Sequence, residues 1–194
     1  MSFCGSRQGS LSVKDGVLKN KCFVDTMNII PHGLFLVISA LILIAWRESI
    51  MGQLNAKTWV HFRCHSVRYI FTVTLVLLCA FEIFEGTVSD YIDPDSINFH
   101  VIIPPAFAFL SSILSLVLYH NIEMWNSPRF LLILLAYWVC ACGLKLLKVF
   151  SLYVNDIETI HLRLWICCAV TANYVILVGV ELLVLIMQVC CCKF

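Results

Sequence analysis

Charge is what this sequence has least of. Only 13% of its 194 residues are Asp, Glu, Lys or Arg, about half the share of a soluble globular domain. Thirteen basic and twelve acidic side chains nearly cancel, leaving a formal net charge of +1. A nucleic-acid binder would need a basic stripe or patch, so that class is excluded. The motifs of common enzyme classes are also missing: there is no G-x-x-x-x-G-K-[ST] phosphate loop, no G-x-S-x-G nucleophile elbow and no H-E-x-x-H zinc pair. Enzyme chemistry therefore has no visible home, and nothing in the sequence calls for a cofactor. No N-x-[ST] sequon occurs, since Asn126-Ser127-Pro128 fails at its third position. The first apolar stretch, starting near residue 27, lacks both a basic n-region before a short h-region and an A-x-A-like cleavage site. It reads as a retained span rather than a signal peptide.

What is there in abundance is apolar surface, with 61% of residues hydrophobic. Five runs are long enough to cross a hydrocarbon core of roughly 30 Å, which takes about 20 helical residues. They lie near Met27–Trp46, Tyr69–Val88, Val101–Tyr119, Phe130–Phe150 and Leu164–Gln188. Charged or turn-forming segments separate them, including the acidic Asp90-Tyr91-Ile92-Asp93-Pro94-Asp95. Ser127 and Pro128 read as N-cap and first helical position of the fourth run. Backbone groups in lipid must pair within their own segment, and alternating ten-residue barrel strands are absent, so the predicted fold is an all-α membrane protein, a five-helix bundle. Residues 1–26 then form a tail, 27–189 the bundle and 190–194 a Cys-rich end.

The positive-inside rule leans towards an N-terminus outside and a C-terminus in the cytosol. That places Arg47, Lys57, Arg63, Arg68, Arg129 and Lys193 inside, against Arg7, Lys14, Lys19, Lys21 and Arg163 outside. Most of the eleven cysteines sit in apolar runs, where a thiol behaves as a small hydrophobe. Cys4 and Cys22 stand apart. They are either a disulfide, which requires an oxidising compartment and hence an outside tail, or two unrelated thiols.

Charges within the spans ask for partners, because an ionised group at membrane depth costs about 2.5–3.5 kcal/mol on insertion scales. Glu82 and Glu85 are one helical turn apart, as are Lys145 and Lys148, and both pairs fall at a similar depth. The expectation is that the two faces meet inside the bundle; the alternative is that the lysines snorkel to the headgroups. Glu181, alone in the fifth span, has Arg68 as its nearest plausible counter-ion. His61, Cys64 and His65 form a small cluster that reads as interfacial anchoring beside Trp46 and Trp59 rather than as a metal site. Cys190, Cys191 and Cys192 follow the fifth span directly, where juxtamembrane cysteines can be S-palmitoylated; the alternative is unremarkable thiols.

Specific residues carry a resemblance. Phe3-Cys4-Gly5, Asp15-Gly16-Val17-Leu18, Asn20, Cys22-Phe23-Val24-Asp25, Asn28 and Pro31-His32 look like the start of the sulfonylurea receptors, regulatory subunits of ATP-sensitive potassium channels. The similarity continues through Thr58-Trp59, His61-Phe62, Glu82-Ile83, Glu85-Gly86 and Ser89-Asp90 to Tyr119-His120-Asn121-Ile122-Glu123. Further on it takes in Asn126, Pro128, Tyr137-Trp138, Lys145 with Lys148, Leu162-Arg163 and Val180-Glu181. In that family this region is the five-helix domain ahead of the ATP-binding-cassette core, with its N-terminus extracellular. The resemblance implies a Cys4–Cys22 disulfide and docking on an inward-rectifier potassium channel pore subunit. Docking would run chiefly through the first helix and the cytosolic loops, with Pro31, His32, Phe35, Val37 and Ile38 as contact residues. The chain departs from the family by lacking the tail sequon and by running into a Cys-rich end where the family runs into a basic stretch.

The leading expectation is a non-enzymatic regulatory subunit or domain, multi-pass in the plasma membrane via the endoplasmic reticulum. It would pack against the channel and modulate its gating or trafficking, with the channel and membrane lipids as partners. Two other readings stand beside it: a truncated N-terminal fragment of a full ABC transporter with no activity of its own, and a small carrier or proton pathway built on Glu82, Glu85 and the lysines.

Overall fold

A computed structural model of the chain describes residues 13–14, 17–18, 21–48, 64–92, 99–125, 127–155 and 161–191. Five long helices dominate: α1 (Lys21–Glu48), α2 (His65–Ile92), α3 (Phe99–Trp125), α4 (Leu131–Asn155) and α5 (His161–Cys191). Ahead of them is a small antiparallel ladder in which β1 (Val13–Lys14) pairs with β2 (Val17–Leu18), Val13 opposite Leu18. The sequence between those strands is Asp15-Gly16, the residue pair that two-residue hairpin loops favour.

Each helix holds a stretch apolar and long enough to cross a membrane: Phe23–Trp46, His65–Val88, Val101–Trp125, Leu131–Val154 and Leu162–Met187. At 1.5 Å per residue these stretches reach roughly 36–39 Å, more than a hydrocarbon core needs. Most of the helices outrun the hydrophobic runs in the sequence at charged residues. α1 takes in Asp25, α2 begins ahead of Arg68, and α3 continues past Tyr119 through Glu123 to Trp125. Hydropathy reads such residues as loop, yet all three are buried and paired within the bundle.

The principal packing runs around a ring: α1 against α3, α3 against α2, α2 against α5, α5 against α4, and α4 back against α1. Successive helices run in opposite directions, because the start of α1 meets the end of α4 through Asp25 and Lys148, and the end of α2 meets the start of α5 through Glu85 and Arg163. The bundle therefore has an amino end, holding the start of α1, and a carboxyl end, holding the end of α5.

Small side chains decide how closely the helices approach. The inward face of α3 carries Ala108, Ser111, Ser112 and Ser115, all buried, and small residues at such contacts let backbones come together in lipid. Their hydroxyls bond back to their own helix, Ser111 to the Phe107 carbonyl at 2.6 Å and Ser112 to that of Ala108 at 2.8 Å. Thr72 and Thr171 do the same to Arg68 and Cys167, each at 2.7 Å. No buried hydroxyl in this group is left for lipid to satisfy. Aromatic rings fill the centre: Phe35 stacks on Tyr137 with centroids 4.0 Å apart, and Trp138 lies between Tyr137 and Tyr174.

The expected N-cap of the fourth helix turns out differently. Ser127 Oγ donates to the Trp125 carbonyl at 3.2 Å, and Pro128–Phe130 form a 3-10 turn that leads into α4. The tight connection to the end of α3 takes the hydroxyl that a cap would use.

Candidate functional site

Two buried ion clusters and one outward helix face hold the chemistry of this bundle. The first cluster lies at the amino end. Lys145 Nζ donates to both carboxylate oxygens of Glu82, at 2.6 Å each. Lys148 Nζ is 2.9 Å from Asp25 Oδ1 and 3.4 Å from Glu82 Oε1. Two carboxylates thus face two ammonium groups, tying α1, α2 and α4 together with no net charge left over. Cys167 Sγ adds a weak contact from α5, 3.7 Å from Glu82 Oε1.

Sequence reasoning put Glu85 on this same face, but its carboxylate turns to α5, where Arg163 Nε is 3.4 Å from Oε2. Glu82 and Glu85 are three residues apart, about 300° around a helix, and that offset is enough to aim them at different neighbours in a ring. Asp25 was assigned to the tail ahead of the first span and so was not considered as a partner. Its signal was its place one helical turn before Asn28 and Ile29, at the depth of Lys148.

The second cluster lies at the carboxyl end. Arg68 Nη2 is 3.3 Å from Glu123 Oε1, and Nη1 is 3.9 Å from Glu181 Oε1. His65 Nδ1 is 2.7 Å from the same Glu123 oxygen. Tyr119 donates its hydroxyl to Glu181 and accepts from the Trp138 indole at 3.1 Å. The Arg68 guanidinium also sits over the Tyr119 ring, 5.2 Å from its centroid, a cation–π placement. Arg68 was expected opposite Glu181; the sequence did not point to Glu123, which read as part of the loop after the third span. The Trp138 N–H can only donate. The hydrogen bonds from Glu181 through Tyr119 therefore end at Trp138.

The helix face expected to meet a partner divides in two. His32 and Phe35 point inward, Phe35 only 3% exposed and stacked on Tyr137, His32 Nδ1 2.9 Å from the Tyr137 hydroxyl. Pro31 is buried as well. Val37 and Ile38 are 60% and 43% exposed, and they belong to an aliphatic stripe with Ile30, Leu34, Leu41 and Ile44. His32 and Phe35 hold α1 on α4 as packing residues of the bundle, and the edge of Phe35 also lines a groove between the two helices. Beside the stripe, this apolar groove of about 380 Å³ runs between α1 and α4, with Phe35, Ala136 and Tyr137 among its lining residues.

Cys4 and Cys192 lie outside the described residues, as do the side chains of Cys22, Cys190 and Cys191. Among the described residues no group of His, Cys, Asp and Glu is arranged to hold a metal ion.

No protein-family profile matches the chain. It is 39% identical over 188 residues to ATP-binding cassette sub-family C member 8 of Cricetus cricetus and of Rattus norvegicus, and 38% identical over 188 residues to that of Homo sapiens. Each match takes in 95% of this chain and 12% of the relative. Over nearly its whole length, then, the chain is similar to a segment that makes up 12% of ATP-binding cassette sub-family C member 8, a sulfonylurea receptor.

Proposed function

We propose that this five-helix bundle is a non-enzymatic membrane module that packs against the pore subunit of an inward-rectifier potassium channel and modulates its gating or delivery to the plasma membrane. Its N-terminus is outside and its C-terminus cytosolic in this reading. The observation that carries it is the aliphatic stripe on α1, from Ile30 to Ile44, in a chain homologous to sulfonylurea receptors over 95% of its length. Both ion clusters support the same reading. The first sets two carboxylates against two ammonium groups and the second gathers Glu123 and Glu181 around Arg68, so together they tie the five helices into one body and leave α1 to present a preformed surface. Helix association in lipid rests on close packing rather than on burial from water. A rigid, shaped face is what such association requires, and neither ATP nor a bound substrate enters the mechanism.

Co-expression of the full chain with inward-rectifier pore subunits tests it, by co-purification and single-channel recording. The expected result is a stable complex and an altered open probability or surface density. Substituting Leu34, Val37 and Leu41 together by Ala should lower recovered channel at least about tenfold, a loss of about 1.4 kcal/mol. The same change at Val175, Leu182 and Ile186 on α5 should leave it intact. Absence of both association and any channel effect would sink the proposal.

A further inference from the structure

Two of the poorest helix formers stand one residue apart inside α1. Pro31 lies in the interior of that helix, where its ring removes the N–H that would pair with the Met27 carbonyl and crowds that carbonyl as well. Proline is one of the few places where helices bend sharply. Gly33 follows, and a Cβ built there would meet nothing within 4 Å. Packing therefore does not ask for glycine at that position, and alanine would make a stiffer helix.

The residue between them is clasped from two sides. His32 Nδ1 is 2.9 Å from the Tyr137 hydroxyl of α4, and the Ser111 hydroxyl of α3 lies 3.4 Å from the His32 carbonyl oxygen. Ser111 makes its shorter bond, 2.6 Å, within its own helix, so the α4 side of the clasp is the stronger. Towards the amino end, the Asp25–Lys148 ion pair pins α1. Between Phe35 and Trp46, no hydrogen bond among the described residues joins α1 to another helix. Ser39 bonds back to the Phe35 and Leu36 carbonyls, and the Trp46 indole N–H has no acceptor there. Ring contacts with Trp125 and Phe130 are what Trp46 adds. Room for movement is the last observation. The groove of about 380 Å³ between α1 and α4 starts at Pro31 and runs past Leu34, Phe35 and Ile38, with small Ala136 and Cys140 on its α4 side.

We infer that α1 is a hinged strap, whose carboxyl half from Leu34 to Ile44 pivots at Pro31 and Gly33 and opens or closes the groove, with the His32–Tyr137 bond as its latch. Hinges of this kind need only a few residues that absorb a backbone change. A change of about 20°, the threshold of a sharp kink, would carry Ile44, about 20 Å along the helix from Pro31, through about 7 Å. The functional consequence rests on the docking reading above: with the latch made, the aliphatic stripe is held as one rigid face, and with the latch released it turns away from its partner. Regulation of docking then lies at a bond in the bundle core.

The test is pulsed electron resonance on the full chain in lipid nanodiscs, with nitroxides on unnatural amino acids because eleven cysteines rule out thiol labelling. Ile44 with Ile70 reads the carboxyl half and Ile30 with Phe84 the amino half, all four being exposed positions. Tyr137→Phe keeps the ring that stacks on Phe35 and removes the hydroxyl. It should shift or broaden the Ile44–Ile70 distances by up to about 7 Å and leave Ile30–Phe84 unchanged. His32→Phe, which removes the latch from its other side, should do the same. Adding Pro31→Ala with Gly33→Ala to Tyr137→Phe should restore the narrow distribution. Unchanged Ile44–Ile70 distances in both latch variants overturn the hinge, and so does equal broadening of both pairs, the mark of a bundle loosened throughout. The distances are read without a pore subunit, so a strap that pivots in a chain that binds no channel sinks the docking reading alone.

Discussion

Glu82 is the residue on which the amino end depends. It is 4% exposed and takes both of its oxygens' bonds from Lys145, with Lys148 behind. Removing one member of a buried pair leaves the other charge without compensation, typically at about 3–5 kcal/mol. Glu82→Gln should therefore lower the stability of the purified chain by about that much, read as an earlier thermal transition in detergent. Glu82→Lys should be worse still, since it places a third ammonium group beside Lys145 and Lys148. Adding Lys145→Glu to Glu82→Lys should recover a good part of the loss; equal damage with and without it would mean that the pair contributes nothing specific. The four intramembrane charges could be read from the sequence because they break apolar runs and come in pairs one turn apart. Asp25, Glu123 and Arg163 were harder to read, since each sits at the edge of a run and hydropathy alone assigns such residues to loops.

Between elements, Gly86 of α2 lies against the start of α3. A Cβ built there would meet Val101 Cγ1 at 3.3 Å and Ile102 Cγ1 at 3.5 Å. Gly86→Ala asks only a few tenths of an ångström from a Val side chain, so its effect should be small. Gly86→Leu overfills the contact and should cost about 1–3 kcal/mol, measured as the shift in the same thermal transition. A Gly86→Leu chain as stable as the wild type would show that the two helices have room to part. The five helices were legible from composition because lipid allows few alternatives to a helix. Their true ends were not, because a helix continues wherever its polar residues find partners, as at His65 and Arg68 with Glu123.

For the whole molecule, the open quantity is which end of the bundle lies outside. Among the described residues five helices are long and apolar enough to span, and their alternating directions put the start of α1 and the end of α5 at opposite ends of the bundle. If the amino end is outside and Cys4 is paired with Cys22, a membrane-impermeant maleimide on intact cells should leave the wild-type tail unlabelled. It should label Cys22 once Cys4→Ser frees it, or after mild reduction. Labelling of the unreduced wild type at Cys22 would rule out the disulfide, and a Cys4→Ser chain labelled only after permeabilisation would reverse the orientation.

The sequence by itself determined the solvent, the number of spans and the need for charge compensation, because each follows from counting apolar and ionised groups against the thickness and low polarity of a bilayer. It also carried the resemblance that 39% identity over 188 residues bears out. Which side chains meet is settled by how the helices pack. The ring order α1, α3, α2, α5, α4 sends Glu82 to the lysines of α4 and Glu85 to Arg163 of α5, and it turns Phe35 inward while leaving Leu34 and Val37 outward. Those outcomes depend on rotations of about 100° per residue between neighbouring side chains, and a one-dimensional pattern does not say which neighbour stands at each angle.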